Sequence, residues 1–338
     1  MSRSRRKKLT RLLLWLCYLL LTALAFRAAA SLQRLLPGYS LRFAAPVTAA
    51  QARALREAAA EGDFEPVFWG LRQGAAADGG LRCVQAEELL VWGEPAGAAA
   101  PGQLTDGGWP SAKDLVGCAV SDSLAWKLWG SGQAVGMDLE LDGRHCVVRG
   151  VFADKTARVV RQQPQERGET PFTAVELLPR GQNTSLEQAQ RFAQGAGLVP
   201  SAAADGPALA AAASLAALLP AAVGALWCAA RLFGQVCRPL SPAQRQLLGF
   251  ALLLALALAL PALLRLLPPA LVPARWSDFS FWGQLWRQME EGVQRWFSLT
   301  PTARDVAAKW GLLQTALSSA GAAFLLLGLW KGAFAKEL

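Results

Sequence analysis

The residues of this chain best suited to chemistry are six cysteines and a single histidine. Cys17, Cys83, Cys118, Cys146, Cys228 and Cys237 include no Cys-x-x-Cys pair, and none stands at metal-ligand spacing from His145. That spacing argues against a zinc site, and His145 in a strand-like stretch reads as a packed or surface residue. Cys83, Cys118 and Cys146 share one polar region, where three thiols allow at most one bridge; buried free thiols are the plainer reading. No GxxxxGK[ST] loop is present to cradle a nucleotide phosphate. There is no G-x-S-x-G elbow, and the carboxylates are scattered among basic residues without a nucleophile and base in pattern. The expectation is a protein that is not an enzyme, holds no cofactor or metal, and draws any work it does from a partner. Asn183-Thr184-Ser185 matches a glycosylation sequon, a motif too common by chance to weigh.

The elements that surround these residues are those of a membrane protein. Of 338 residues, 53% are hydrophobic and only 17% charged, with long runs of Leu and Ala. The net charge of +9 owes much to Arg3, Arg5, Arg6, Lys7, Lys8 and Arg11, a basic block directly before an apolar run. Such a block is a topology signal, and no aromatic platform or helix-turn-helix pattern accompanies it, so nucleic acid is not an expected partner. The basic N-terminus is placed at residues 1–11 and a first transmembrane helix at 12–30, close to the roughly 20 residues a bilayer core requires. A cleaved leader is the rival reading, since Ala28, Ala29 and Ala30 form a small-residue site; Arg27 beside it weighs toward an uncleaved helix.

From residue 38 to 206 apolar residues are scattered and turn formers recur, which predicts a folded polar domain. Ala49 to Glu61 reads as a helix with Ala52, Leu55 and Ala59 on one side, and Pro66 to Leu71 and Glu88 to Gly93 as short strands. Gly74 to Gly80 and Glu94 to Gly108, rich in Gly, Ala and Pro, read as loops. The clearest pattern lies between Val116 and Phe152. A strand Val116–Val120 leads to Ser121 and Asp122 as the N-cap of a helix with Leu124, Ala125, Leu128 and Trp129 on its apolar face, closed by Gly130. Met137, Leu139 and Leu141 then alternate with Asp138 and Glu140, Asp142-Gly143 supplies a type I′ hairpin signal, and Arg144 to Phe152 returns. Thr173 to Leu178 offers another strand and Ser185 to Gly195 a helix with Leu186, Ala189, Phe192 and Ala193 inward. Ser201 to Pro207 reads as a linker.

Three further apolar runs follow, at 208–230 with Pro220 inside it, at 247–264, and at 310–330 between two tryptophans. The fold expected is thus an α+β extracytoplasmic domain inserted between the first and second of four transmembrane α-helices. The loop 231–246 carries Arg231, Arg238 and Arg245 without an acidic residue, which places it in the cytoplasm together with both termini, including the tail 331–338. The external loop 265–309 holds an amphipathic helix, with Trp282, Leu285, Trp286, Met289, Val293, Trp296 and Phe297 at helical spacing. It reads equally as a helix on the membrane surface or as one packed beneath the domain.

The string DLVGCAVSDSLAWKLWGSGQAVGMDLELDGRHCVVRGVF, Asp114 to Phe152, resembles the periplasmic core domain of MacB-type ABC transporter permeases. In that family a strand and a helix ending in a large residue plus Gly lead to a turn, a hairpin and a valine-rich strand. The positions that carry the likeness are Ser121, Asp122, Leu128, Trp129, Gly130, Gly136, Val148, Gly150 and Val151. One span, an external domain and three further spans is also the layout of the MacB/FtsX group, so the likeness extends over nearly the whole chain. What the resemblance implies is a multi-pass cell-membrane permease subunit, paired with a like subunit as a homo- or heterodimer and in contact with lipid. It would transmit motion from a separate cytoplasmic ABC-type ATPase to the external domain. The loop with Arg231, Arg238 and Arg245 would touch that ATPase. Family members often carry an Glu-Ile-Gly stretch and a small-residue repeat there, which RLFGQVCRPLSPAQRQ lacks. The alternative is a membrane-anchored binding or scaffold protein that keeps the external domain without transport.

Overall fold

The computed structural model describes residues 3–164, 170–181, 184–236, 279–298 and 301–334, with scattered positions between 241 and 258. The chain divides into two units. One, comprising Gln33–Leu209 and Met289–Lys309, is a mixed α/β domain. The other, comprising Met1–Leu32, Ala210–Gln288 and Trp310–Leu338, is helical among its described residues.

The domain is built on a ten-stranded sheet. In chain order its elements are β1 (Tyr39–Arg42), α2 (Ala49–Ala59), β2 (Phe64–Asp78), β3 (Cys83–Trp92), β4 (Leu104–Gly107), β5 (Gly117–Ser121), α3 (Asp122–Trp129), β6 (Asp138–Leu141), β7 (Arg144–Phe152), β8 (Arg158–Gln162), β9 (Ala174–Pro179), α4 (Leu186–Gly195) and β10 (Ala202–Asp205). The strands run in the order β10-β1-β9-β2-β3-β8-β5-β7-β4, and β6 pairs with both β2 and β7. Only β3 with β8 and β5 with β7 are parallel. Because β6 bridges β2 and β7, the pairings β2-β3-β8-β5-β7-β6 close on themselves. Inside that ring α3 seats Leu124, Ala125 and Leu128 against Ala77, Val120, Leu139, Leu141, Val148 and Val159.

A second core lies where β1, β9 and the first half of β2 meet the inward faces of α2 and α4, with Leu41, Leu55, Phe68, Phe172 and Ala193 buried. The two halves of β2 serve different cores. A register irregularity between Arg72 and Ala75 lets this fifteen-residue strand turn from one to the other. The expected loop at 74–80 is therefore strand as far as Asp78, since alternate Ala75 and Ala77 are buried. Small side chains concealed the alternation that larger ones would have displayed. The stretch 94–108 likewise contains a short 3-10 helix (Ala96–Ala99) and β4. The linker at 201–207 contains β10, which pairs with β1 from Tyr39↔Asp205 to Arg42↔Ala202.

Local signals otherwise place the elements well. Thr48 and Gln51 form a capping box at α2, as Ser185 and Gln188 do at α4. Asp142 and Gly143 both take positive φ, 50° and 77°, as a type I′ turn demands. Met137 differs from expectation: the strand begins one residue later, at Asp138, and the Met137 side chain is 41% exposed although its carbonyl accepts from Val148 N.

In the helical unit, α1 (Arg3–Leu35), α5 (Gly206–Val236) and α7 (Ala303–Phe334) contain the three helices among the described residues that are long and apolar enough to cross a membrane. They are longer than the expected spans at 12–30, 208–230 and 310–330. The expected span at 247–264 lies outside the described residues apart from scattered positions. The helices leave Leu12, Leu16, Leu20, Leu219, Leu226, Leu317 and Phe324 exposed, a surface that water does not favour and lipid would cover, consistent with a membrane protein. They pack through a small cluster of Tyr18, Ala322 and Leu326, and the Tyr18 hydroxyl donates to Pro220 O at 2.9 Å within α5. Helix α6 (Phe279–Ser298) occupies the expected amphipathic stretch.

Candidate functional site

The family-like positions from Ser121 to Val151 are brought together, but as the framework of the closed ring. Ser121 Oγ accepts from Leu124 N at 3.1 Å, capping α3, and from Arg158 N at 3.0 Å, tying that helix to β8. Asp122 Oδ1 accepts from Asp154 N at 3.0 Å. Leu128 is buried, and Trp129 Nε1 donates to Gly79 O at 3.2 Å in the β2–β3 turn. Gly130 ends α3 in the left-handed conformation at φ 68°. Gly136 N donates to Val148 O at 2.7 Å, while Gly150 and Val151 lie in the β5–β7 ladder. None of these side chains converges on an open recess; each satisfies a backbone group or fills the core.

Of the three loop arginines, Arg231 lies in the last turns of α5, its guanidinium 4.9 Å from the centroid of Trp227, which stacks on Trp15 at 5.4 Å. Arg238 and Arg245 lie outside the described residues.

The arrangement with the most concentrated chemistry is elsewhere in the domain unit. Alternation in β1 and β9 sends Leu41, Val175 and Leu177 into the α2/α4 core, so Ser40, Arg42 and Glu176 emerge on the opposite face. Ser40 and Glu176 are nevertheless buried, and Arg42 is partly so. The start of α7 supplies their partners: Arg304 Nη1 lies 2.6 Å from Glu176 Oε1, with side chains only 2% and 0% exposed. Glu176 Oε1 also accepts from Ser40 Oγ at 2.7 Å and Trp69 Nε1 at 3.1 Å. Arg304 Nε donates to Leu35 O at 2.7 Å, the carbonyl at the end of α1. The Nη1–Oε1 approach is an ion-pair contact: Nη1 and Nη2 of Arg304 and Oε2 of Glu176 have no hydrogen-bond partner among the described residues.

Asp305 completes the joint. It caps its own helix by accepting from Thr302 N at 3.0 Å and Thr302 Oγ1 at 2.8 Å, accepts from Trp296 Nε1 at 3.3 Å, and faces Arg42 Nη2 at 3.4 Å. Arg42 also stands 4.2 Å over the Trp69 ring. Burial pushes the Arg42 guanidinium below its ordinary value, an effect that Glu176 and Asp305 oppose. Two cations and two anions thus neutralise one another, the Arg304–Glu176 pair out of water and Arg42 at its partly exposed edge. Gly206 closes the same corner: a Cβ there would fall 2.4 Å from Gly38 O and 3.0 Å from Leu36 O, so the β10–α5 junction can lie against the α1–β1 junction only as glycine.

This joint was not foreseen, although Thr302-Ala303-Arg304-Asp305 before an apolar run is a capping-box signature. Trp296, 1% exposed, packs within the domain unit, while Trp286 and Phe297 of the same helix are 71% and 53% exposed. Among the described residues no group of three His, Cys, Asp or Glu side chains is placed to hold a metal ion.

No protein-family model matches the chain, and no curated protein does. Solved structures do. The extracellular domain of the noncanonic ABC-type transporter YknZ from Gram-positive bacteria is 12% identical, over 46% of this chain and 87% of that one, with a TM-score of 0.35. The periplasmic region of MacB from Actinobacillus actinomycetemcomitans is 10% identical, over 52% and 93%, at 0.42. A domain of a putative permease protein from Porphyromonas gingivalis is 18% identical, over 46% and 81%, at 0.34.

Proposed function

We propose that the chain is the membrane-spanning subunit of an ABC transporter-like complex, passing motion from a separate cytoplasmic ATPase to an α/β domain outside the cytoplasm. The observation that carries this reading is the joint around Arg304. Three apolar helices each have one end in the domain unit: Gln33–Leu35 of α1, Gly206–Leu209 of α5 and Ala303–Lys309 of α7. A helix can move a domain only if its end does not slip. A flexible Gly/Ser linker would absorb the displacement, whereas here β10 runs directly into α5 and α7 enters through buried ion pairs. Ion pairs buried at that entry are costly and would be superfluous in a simple anchor.

The rest of the reading follows from charge. Basic residues at 3–11 and at Arg231, Arg238 and Arg245 favour the cytoplasm for the N-terminus and the loop after α5, which puts residues 38–206 outside. Exposed Trp286 and Phe297 on α6 suit the interfacial zone of the bilayer. Lacking a phosphate-binding loop, the chain would take its work from an ATPase gripping the loop 231–246, with Arg238 and Arg245 against acidic partner groups. The test is purification from the native host in mild detergent, with crosslinking, of the natural chain and of Arg238→Glu/Arg245→Glu. Recovery of a P-loop ATPase with the first and its loss with the second supports the proposal. Absence of any ATPase from the crosslinked natural complex overturns it in favour of a scaffold.

A further inference from the structure

The three cysteines of the domain are not equivalent. Cys83 begins β3 and is exposed. Cys118 on β5 and Cys146 on β7 lie on neighbouring parallel strands, where Cys118 pairs with Val148. Alternation gives Cys146 the same face as Val148, so the two thiols are diagonal neighbours on the side lined by Leu124 and Leu139. Both are buried, at 0% and 3% exposure. The β5–β7 ladder breaks register only after Cys118, on the side away from Cys146, so both cysteines belong to its regular part.

We propose that Cys118 and Cys146 are joined as a disulfide in the mature protein, and that Cys83 remains a free thiol. The proposal rests on placement of the domain outside the cytoplasm, where disulfides persist. In the folded domain the neighbouring Cys118 thiol draws Cys146 down to about 7, with Arg161 and His145 contributing, and the same neighbourhood pushes Cys118 up, so each sulfur senses the other. The oxidant is a dithiol-disulfide exchange protein of that compartment. One of the two cysteines, as thiolate, attacks the oxidant's disulfide, forming a mixed disulfide and releasing one oxidant thiol. The other then loses its proton and attacks the first cysteine's sulfur, releasing the second. Two electrons and two protons pass to the oxidant, which ends as a dithiol. The exchange precedes sealing of the core by α3, since the folded domain shields both sulfurs.

The test uses the full chain in intact cells of its host. A membrane-impermeant maleimide applied outside reports the side of the membrane through Cys83. The protein is then denatured in N-ethylmaleimide and digested with trypsin with and without reduction. The expected product without reduction is Asp114–Lys127 crosslinked to His145–Arg149, two hydrogens lighter than the separate peptides and resolved into them by reduction. Cys118→Ser should abolish it and leave Cys146 open to alkylation. Both peptides alkylated without reduction, or a bridge involving Cys83, overturns the proposal. Where Cys83 is labelled from outside and both peptides are alkylated, the bridge fails while the topology stands. A bridge found with Cys83 unlabelled supports the disulfide and overturns the topology.

Discussion

Arg304 and Glu176 meet 2.6 Å apart with almost no exposure, Arg304 at the start of an apolar helix and Glu176 in the sheet of the domain. Neither charge has water to fall back on, so each depends on the other. Removing one partner of a buried pair typically costs about 3–5 kcal/mol, whereas replacing both by apolar groups of similar volume is often neutral. Glu176→Leu or Arg304→Met alone should therefore lower the thermal midpoint of the purified chain sharply. The double variant should recover most of the loss in stability. If the pair transmits motion, however, the double variant should still lose activity of the assembled complex, and a combined assay of unfolding and ATP-driven function separates the two roles.

Ser121 is asked to satisfy two buried donors at once, Leu124 N and Arg158 N. Ser121→Ala removes an N-cap, about 1–2 kcal/mol, and strands the Arg158 amide, about 1–3 kcal/mol more. Ser121→Thr keeps the hydroxyl and should cost much less. Tryptophan fluorescence during denaturant unfolding checks the difference, with Trp129 as a reporter at the other end of the same helix.

Asp142 and Gly143 both hold positive φ in the β6–β7 turn. A left-handed residue other than glycine costs about 1–2 kcal/mol, more for a β-branched side chain, and the register of the closed ring depends on this turn. Gly143→Val should raise proteolytic sensitivity of the domain, whereas Gly143→Asn, which tolerates the conformation, should leave it near the natural level.

What could be foreseen in this fold was local. The Ser121 cap, the Asp142-Gly143 turn and the inward positions of α2 and α4 each follow from residues a few places apart. What escaped was either small or distant. Ala75, Ala77 and Ala202–Asp205 lack the bulk that marks a strand, and their pairing is decided by partners far along the chain. Alternation places Ser40, Arg42 and Glu176 away from the α2/α4 core, and only the return of Arg304 and Asp305, distant in sequence, covers them. The family-like motif was legible for the same local reason, and it marks the framework of the domain.

Asp114 offers a pH signature. Arg149 Nε donates to its Oδ2 at 2.8 Å and Gly117 N to its Oδ1 at 2.7 Å, and these hold the carboxyl below its usual value, the arginine first. A folded value lower than the unfolded one, about 3.9, means that the unfolded chain binds the proton more readily. The stabilisation is full above that unfolded value and is lost as pH falls through the folded one. Asp114→Asn should thus be less stable than the natural chain at neutral pH, and the gap should narrow as pH drops below about 4. Unfolding midpoints measured from pH 7 to pH 3 give the comparison, and a gap independent of pH would rule out the ion pair as its source.

Topology is the prediction on which the functional reading depends most. Positive residues flank the start of α1 and the end of α5, and charge bias of this kind sets the orientation of spans beside short loops. With 3–11 and the Arg231 region inside, the domain between α1 and α5 must be outside, and α7, whose first turn is locked into that domain, must begin on the same side and end in the cytoplasm with Lys331 and Lys336. That path needs one further crossing between Arg231 and Phe279, which the apolar run 247–264 is long enough to provide. Reporters active only outside the cytoplasm should work when fused after Gly80, in the β2–β3 turn, and fail when fused after Pro239 or at the C-terminus. Activity after Pro239 would invert the loop, and activity at the C-terminus would leave an odd number of crossings. A mature protein beginning near Ser31 would show that α1 is removed, and with it the Leu35 carbonyl would lose the helix that ties Arg304 to the first span.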